Sequence, residues 1–322
     1  MTVHVIATGG TIASHFDGDA WTEIGGEQLV REAGSHACAV VVEDVATGPS
    51  SNLTVDDMVR IAMRVRELLA CGAEGVVVTH GTDTIELTSF VTALLLGVDD
   101  TRRPVVFTGS MRVHSHPDAD GPRNIRDAIA VACDPAAVGR DVMVCLGGAL
   151  HAANAVVKVN ANTVDAFSSA PLAPVGSIEA GRPVFRVAPR CRRPATALTT
   201  DVPLLTCYPG IDPGEFTRLV EGCRGIVVEV FGDLNVPRQL WGPIHEAWNA
   251  GVLVVLASRP FTATTGNEGL SLLGAVGAGG LTAQKARLAT MAVLGTFAAR
   301  DDAIEFLHRC ALTYDPLDRS TR

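Results

Sequence analysis

Four apolar runs in the first half of the chain each end in a turn of small polar residues. The clearest is Val77-Val78-Thr79, which is followed by His80-Gly81-Thr82-Asp83-Thr84. The other three turns are Thr8-Gly9-Gly10-Thr11, Thr108-Gly109-Ser110-Met111-Arg112 and Gly147-Gly148. Strands of a parallel sheet are covered on both faces, so they read as continuous apolar runs. Because ligands bind where the carboxyl ends of such strands meet, we expect these four turns to form one pocket.

The alternation of strand and helix patterns predicts an α/β protein of two domains, which suits a length of 322 residues. We expect a larger N-terminal domain over residues 1–185 with a doubly wound, mostly parallel sheet. A linker over 186–203 and a smaller C-terminal α/β domain over 204–322 follow. The proline- and arginine-rich texture of 171–203, with a possible hairpin at 179–182, is interpreted as a connection between the domains.

The composition of the chain limits the kinds of partner that it can bind. A net charge of −9 argues against nucleic acid and against an anionic membrane surface, since both favour a basic face. No apolar run approaches the roughly 18 residues that span a bilayer. The chain enters a strand at once, so we expect a cytoplasmic protein. The eight cysteines form no C-x-x-C pair, so we expect no metal site and reduced cysteines. We predict no cofactor.

Several common catalytic motifs are missing. The chain has no P-loop sequence, no G-x-G-x-x-G after a strand with a downstream acid, no nucleophile elbow G-x-S-x-G and no H-E-x-x-H. What remains at the strand ends is a set of threonines, one acid and, elsewhere, an unusual lysine. Lys158 and Lys285 are the only lysines, and all other Lys and Arg positions are arginine. A lysine is required where an amine must lose its proton, because arginine does not do so.

These residues favour acyl transfer by an activated hydroxyl. A threonine is a poor nucleophile unless a neighbour takes its proton, and a desolvated lysine held by an aspartate can do so. Thr82, Asp83 and Lys158 could form such a relay. Backbone N–H groups of the turns, including those of Gly10 and Gly81, could stabilise an oxyanion.

The motifs resemble the signatures of the bacterial-type L-asparaginase family. The resemblance covers nearly the whole chain, and the motif that begins at Tyr208 favours the cytoplasmic type I branch of the family. Its segments are Thr8-Gly9-Gly10-Thr11-Ile12-Ala13, His80-Gly81-Thr82-Asp83-Thr84, Thr108-Gly109-Ser110-Met111-Arg112, Ala119-Asp120-Gly121-Pro122-Arg123-Asn124, Lys158, Tyr208-Pro209-Gly210-Ile211 and Gln284-Lys285-Ala286-Arg287.

The resemblance implies hydrolysis of L-asparagine to L-aspartate and ammonia through a covalent acyl-threonine. Thr11 corresponds to the nucleophilic threonine. Thr82 corresponds to the second essential threonine, with Asp83 and Lys158 as its partners. Ser50 corresponds to the serine that binds the substrate's α-carboxylate, and Ser51 adjoins it. Asp83 would also bind the α-ammonium group.

The resemblance also implies a homodimer or homotetramer in which a neighbouring subunit completes each site. The completing residues of this chain would be near Asp233 and Asn235, or near Asn267 and Glu268. A glutaminase side activity stays open, because one methylene in a pocket changes binding by only about 1–3 kcal/mol.

One position departs from the family pattern. The segment from Ser14 to Gly26 reads as a lid, where relatives usually have a tyrosine that helps to activate the nucleophile. Trp21 aligns with that tyrosine, and an indole N–H donates but cannot accept a proton. Thr22 or His15 could substitute, or Lys158 could act alone.

Two other functions stay open at the level of sequence. One is a regulatory family member that binds asparagine or aspartate with weak or no catalysis. The other is the asparaginase-like subunit of a tRNA-dependent amidotransferase, which carries an extra amino-terminal domain.

Overall fold

The chain divides into two units, the first Met1–Pro194 and the second beginning at Ala195. The computed structural model describes residues 1–97, 99–187, 194–260 and 269–310. Each unit has its own sheet and helices, so the predicted α/β class is confirmed. The division falls inside the segment 186–203, of which 188–193 lie outside the described residues.

The first unit contains the larger sheet. Its strands are β1 (Thr2–Ala7), β2 (Ser14–Phe16), β3 (Trp21–Glu23), β4 (Ala39–Asp44), β5 (Gly75–Thr79), β6 (Val105–Thr108), β7 (Met143–Leu146), β8 (Ala149–Ala152), β9 (Val157–Lys158), β10 (Phe167–Ser168), β11 (Gly176–Glu179) and β12 (Arg182–Phe185). Its α-helices are α1 (Gly26–Glu32), α2 (Val55–Ala70), α3 (Ile85–Leu95) and α4 (Gly121–Ala132).

The large sheet has the strand order β12-β11-β8-β7-β6-β5-β1-β4. The five strands from β7 to β4 are parallel, and the three at the other end are antiparallel. The hairpin predicted near 179–182 is present as β11 and β12. It is not part of a connection between domains, however, because Gly176 pairs with Leu150 and so adds the hairpin to this sheet. That interpretation of 171–203 is therefore wrong for 176–185.

The central strands are buried on both faces, as their apolar runs predicted. In β5, Val77 packs into a cluster with Leu29 of α1 and Ile125 of α4. Its neighbours Val76 and Val78 point the other way, into a cluster with α2 and α3. Alternate residues of one strand thus face two helical layers, which makes the unit doubly wound.

The second unit contains a smaller, fully parallel sheet with the strand order β13-β14-β15-β16. Its strands are β13 (Leu204–Thr206), β14 (Gly225–Val230), β15 (Leu253–Ser258) and β16 (Val276–Gly277). Its α-helices are α5 (Pro213–Val220), α6 (Trp241–Asn249), α7 (Leu270–Leu273), α8 (Ala283–Thr296) and α9 (Arg300–Cys310). Residues 261–268 lie outside the described part of the chain.

Cys38 and Cys133 form a disulfide that joins the approach to β4 to the end of α4. The expectation of reduced cysteines is therefore wrong for this pair. The two residues are 95 positions apart in sequence, and only the packing of α4 under the sheet brings them together. Within the described residues, no helix combines the length and the apolar character needed to cross a bilayer.

Candidate functional site

Three of the predicted turns lie side by side at the carboxyl edge of the large sheet. Ala7 of β1 pairs with Thr79 of β5, and Thr79 pairs with Thr108 of β6. The turns that follow these strands are therefore adjacent. Of the four predicted turns, those after β1 and β5 line the pocket at this edge; the turn after β6, Thr108–Arg112, and the fourth turn, Gly147-Gly148, do not, so the expectation of one pocket from all four is wrong for these two. Both glycines of the fourth turn have positive φ and return the chain directly into the antiparallel strand β8.

A pocket of about 360 Å³ opens at the turns after β1 and β5, a size within the range of small-molecule sites. It contains both predicted catalytic threonines. Its lining comprises Gly10, Thr11, Ser14, Trp21, Thr22, Glu23, Pro49, Ser50, Gly81, Thr82 and Asp83. The loop after β4, which contributes Pro49 and Ser50, and the segment 21–23 complete the lining in place of the other two predicted turns.

The floor of the pocket is backbone packed directly on backbone. A Cβ atom on Gly10 would lie 2.4 Å from the Cα of Gly81, and Gly10 has a φ of +88°. A Cβ atom on Gly81 would lie 2.6 Å from Ser50 Oγ. The segments that contain Gly10, Gly81 and Ser50 can approach this closely only because positions 10 and 81 are glycine.

Lys158 contacts both residues with which it was predicted to form a relay, Thr82 and Asp83. Its Nζ lies 2.9 Å from Thr82 Oγ1 and 2.7 Å from Asp83 Oδ1. The Thr82 residue is only 4% exposed, whereas the Asp83 side chain is 60% exposed and faces the open pocket. As an ammonium, Lys158 donates to both oxygens. As a neutral amine, it could instead accept the hydroxyl proton of Thr82.

The backbone of Lys158 is held by an acid that the sequence analysis missed. Lys158 N–H donates to Glu86 Oε2 at 2.5 Å, and Glu86 lies in the first turn of α3, four residues after Thr82. The short pair of β9 with β10 fixes the same residue, through the register Lys158 with Phe167. The sequence carries no signal for this role of Glu86, because the contact is to a backbone N–H of a residue 72 positions away.

Ser50 presents a buried hydroxyl at the pocket. The residue is 3% exposed, and its Oγ has no hydrogen-bond partner among the described residues. Its carbonyl accepts a hydrogen bond of 2.9 Å from Thr84 Oγ1, which ties this loop to the turn after β5. A buried unpaired hydroxyl costs about 1–3 kcal/mol, so a ligand that supplies an acceptor would recover that free energy.

His80, the first residue of the threonine motif, is fully buried and neutral. Burial lowers its pKa to about 4, and its Nδ1 lies 2.8 Å from the carbonyl of Gly81. Because a carbonyl only accepts, the Nδ1 nitrogen carries the proton and donates it. The ring thereby orients the Gly81–Thr82 peptide at the edge of the pocket.

The predicted lid is an antiparallel hairpin of β2 and β3, followed by α1. Trp21 is 64% exposed and lines the pocket, and its ring packs at a tilt against Phe16 with the ring centroids 5.1 Å apart. Thr22 also lines the pocket, whereas His15 is not among the lining residues. Glu23, which the sequence analysis did not single out, lines the pocket and accepts a 2.7 Å hydrogen bond from Gly48 N–H.

Three predicted substrate-binding residues are not among those that line this pocket. Ser51 lies in the 3₁₀ turn Ser50–Asn52 and is exposed. Asp233 lies in the second unit, in the turn after β14, with a left-handed backbone at φ +53°. Glu268 lies outside the described residues. In the part of the chain that the structure describes, no three His, Cys, Asp or Glu side chains are placed to bind a metal ion.

Comparisons with known proteins agree over most of the chain. The family model "Asparaginase, N-terminal" matches residues 2–190, and "Glutaminase/Asparaginase C-terminal domain" matches residues 201–306. A relative from Deinococcus radiodurans named "Probable L-asparaginase" is 35% identical over 92% of this chain and 94% of its own length. "L-asparaginase 2" of Escherichia coli is 29% identical over 89% of this chain and 86% of its own length.

A solved structure is similar along nearly its whole length. It is described as a probable cytoplasmic L-asparaginase from Campylobacter jejuni, with a TM-score of 0.83 and 29% identity. The match covers 95% of this chain and 98% of that chain.

Proposed function

The chain belongs to the asparaginase family, and from that premise we propose that it hydrolyses L-asparagine to L-aspartate and ammonia. The observation that carries the proposal is the contact of Lys158 Nζ with both Thr82 Oγ1 and Asp83 Oδ1, beside a pocket that also contains Thr11. Two hydroxyls and an amine at one small cavity are the groups that acyl transfer requires.

In the proposed mechanism, Thr11 Oγ attacks the side-chain amide carbon of asparagine. The amide C–N bond then breaks, ammonia leaves with a proton from the site, and an ester links the aspartyl group to Thr11. Water attacks this ester and releases aspartate, so the threonine regains its proton. In this scheme Lys158 acts as the free amine: it accepts the Thr11 hydroxyl proton by way of Thr82 and passes it to the departing nitrogen. General base catalysis of this kind contributes about 10²–10⁴-fold to rate.

The same pocket can bind both charged ends of a free amino acid. The Ser50 hydroxyl is placed to donate to the α-carboxylate, since it has no partner among the described residues. The exposed face of the Asp83 carboxylate would accept from the α-ammonium group. Backbone N–H groups of the Gly10 and Gly81 turns would stabilise the oxyanion of the tetrahedral intermediate, a contribution of about 3–4 kcal/mol per donor.

The lid tyrosine of relatives has no direct replacement in the proposed site. Trp21 stands at its position and cannot accept a proton. We therefore assign the proton transfers to Lys158, which contacts Thr82, rather than to Thr22 or His15.

The assembly that we propose is a cytoplasmic homodimer or homotetramer, with Asp233 and Glu268 of a neighbouring copy near each site. Light scattering of the purified protein measures that state.

Release of ammonia from asparagine tests the function. We expect steady-state turnover by the unaltered chain, and loss of at least about 10³-fold in kcat for Thr11→Ala and Thr82→Val. Thr163→Ala, which changes an exposed threonine of the same unit, is the control and should keep full activity. Full activity in either site variant would contradict the mechanism. Binding of asparagine without turnover would contradict the function. Parallel kcat/KM values for glutamine measure the side activity.

A further inference from the structure

The lid hairpin is held on its outer side by a chain of three titratable residues, His15, His114 and Glu32. His15 Nδ1, on β2, lies 3.1 Å from His114 Nδ1. His114 Nε2 lies 2.5 Å from Glu32 Oε2, in the last turn of α1. The His114 side chain is only 12% exposed. We call these three residues the histidine anchor.

Backbone contacts place the anchor at the start of the lid. His114 N–H donates to the carbonyl of Ser14 at 2.8 Å, and Phe16 N–H donates to Ser115 Oγ at 3.0 Å. Ser14 is itself a pocket residue, only three positions after Thr11. Displacement of β2 from this loop would therefore move both the lid and the root of the proposed nucleophile.

The contact between the two rings depends on the number of protons they hold. A hydrogen bond between two Nδ1 atoms needs one N–H donor and one bare acceptor. The pair forms it when both rings are neutral or when one is an imidazolium. When both rings are protonated, each Nδ1 carries a proton, so the bond is lost and two positive charges face each other.

A carboxylate lies beside each ring of the pair, Glu32 beside His114 and Asp17 beside His15. The pKa of the Glu32 carboxyl is lowered by a hydrogen bond from Gln28, and then by its hydrogen bond to His114 and by the charges of His114 and Arg31. Directly after β2, the carboxylate of Asp17 is near His15, and the pKa of that carboxylate is lowered mainly by the backbone N–H groups of Ala20 and Asp19. Glu32 thus remains ionised and can balance a single imidazolium.

We propose that His15 and His114 are positioning residues that hold the lid hairpin over the pocket through one shared proton, and that a second proton releases it. This inference rests on the proposed function, because the lid carries Trp21 and Glu23 into the pocket. Acidification should therefore weaken substrate binding before it unfolds the protein.

The key variant is His15→Asn. The side-chain amide of asparagine does not titrate, and it can donate to a bare His114 Nδ1 or accept from a protonated one, so the contact survives acidification. Between pH 7.5 and 5.5 we expect KM for asparagine to rise about fivefold more in the unaltered chain than in His15→Asn. His15→Phe removes the contact at every pH, so its KM should be high already at pH 7.5. His116→Asn changes a histidine of the same loop outside the anchor, and should behave like the unaltered chain.

Hydrogen exchange of the segment 14–23 gives a readout that does not need turnover. After correction for the intrinsic effect of pH, its amides should exchange faster at pH 5.5 than at 7.5 in the unaltered chain, and equally in His15→Asn. Identical KM profiles and identical exchange in these two proteins would overturn the inference. Absence of ammonia release by the unaltered chain would refute the proposed function instead, and the exchange result would still decide whether the anchor holds the lid.

Discussion

At the scale of single residues, Lys158 carries most of the proposed chemistry. It is one of two lysines among 26 lysines and arginines, and its Nζ touches both Thr82 and Asp83. An arginine could make the same two contacts but could not deprotonate. The choice of lysine at this position is therefore what a proton acceptor requires, and what a purely structural ion pair does not.

Two substitutions separate these roles. Lys158→Arg keeps the charge and the donors, whereas Lys158→Met removes both. If the lysine accepts the proton, both variants should lower kcat by about 10²–10⁴-fold, with a smaller change in KM. Steady-state kinetics measure the effects on kcat and on KM separately. An arginine variant with kcat within about tenfold of the unaltered value would show that only the positive charge matters.

The buried hydroxyl of Ser50 gives a second prediction. Hydrogen bonds to charged groups contribute about 1.5–3 kcal/mol, so Ser50→Ala should raise KM by roughly tenfold or more with little change in kcat. It should not lower the Tm, since the hydroxyl has no partner among the described residues. Ser51→Ala changes an exposed neighbour and should have a much smaller effect on KM. Equal effects of the two substitutions would contradict the placement of the carboxylate at Ser50.

The site residues differ in how far sequence could identify them. Thr82, Asp83 and Lys158 were predicted as a relay, and their side chains are in contact. Glu23 and Glu86 were missed, because each acts on a backbone N–H of a residue that is distant in the chain. Contacts to the backbone leave no pattern of residue types, so they become visible only with the fold.

At the scale of elements, the floor of the pocket depends on three turns that touch through glycine. Gly10, Gly81 and Ser50 form this contact, and each belongs to a different strand end. The strands were predictable because buried parallel strands are apolar runs. The close approach of their turns was not, because it depends on sheet order and register.

Gly10→Ala tests the contact. The new methyl group would meet the Cα of Gly81 at 2.4 Å, in addition to the strain of a left-handed backbone. Gly18→Ala is a matched control, since Gly18 also has a positive φ but a methyl group there would have no atom within 4 Å. We expect Gly10→Ala to be less stable than Gly18→Ala by about 1–3 kcal/mol, and to lose activity. Thermal unfolding measures the difference, and equal Tm values would contradict the packing.

Element boundaries were predictable where local chemistry decides them. Helix α2 begins after Thr54, and Thr54 and Asp57 form a reciprocal capping box, whose residue types can be read from sequence. The hairpin of β11 and β12 was predicted locally, but its pairing with β8 was not. Edge pairing depends on which strand is left open at the end of the sheet, and local sequence does not contain that information.

At the scale of the whole molecule, His80 links stability to pH. Its pKa is about 4 in the folded chain, against 6.5 for an unperturbed histidine, because burial disfavours the charged ring. The unfolded chain therefore binds one more proton than the folded chain between these two values. Stability falls as pH decreases from about 6.5 to 4, by about 3 kcal/mol from this residue, and is unaffected by it above pH 7.

Urea unfolding at pH 7 and pH 4.5 measures this effect. His80→Asn keeps a donor for the Gly81 carbonyl but cannot titrate, so its free energy of unfolding should fall less between the two pH values. His308→Asn changes an exposed histidine of α9 and serves as the control. A pH dependence in His80→Asn as steep as that of the unaltered chain would exclude the assignment.

The α/β class with two sheet-bearing units could be predicted, since strand and helix patterns alternate along the chain. Contacts across long sequence separations were not predictable, as the pair Cys38 and Cys133 shows. Their proximity depends on α4 packing beneath the sheet. Sequence thus indicates the elements and their chemistry, whereas long-range pairing follows from the assembled fold.

The glycine-lined floor and the exposed lid have opposite consequences for anyone who wishes to redesign substrate preference. Position 21 in the hairpin can accept many side chains, because its indole is largely in water. Positions 10 and 81 tolerate no enlargement, because a methyl group on either would overlap atoms of the adjoining turn. Engineering of activity towards a new amide substrate should therefore change residues of the lid hairpin and keep the two glycines of the pocket floor.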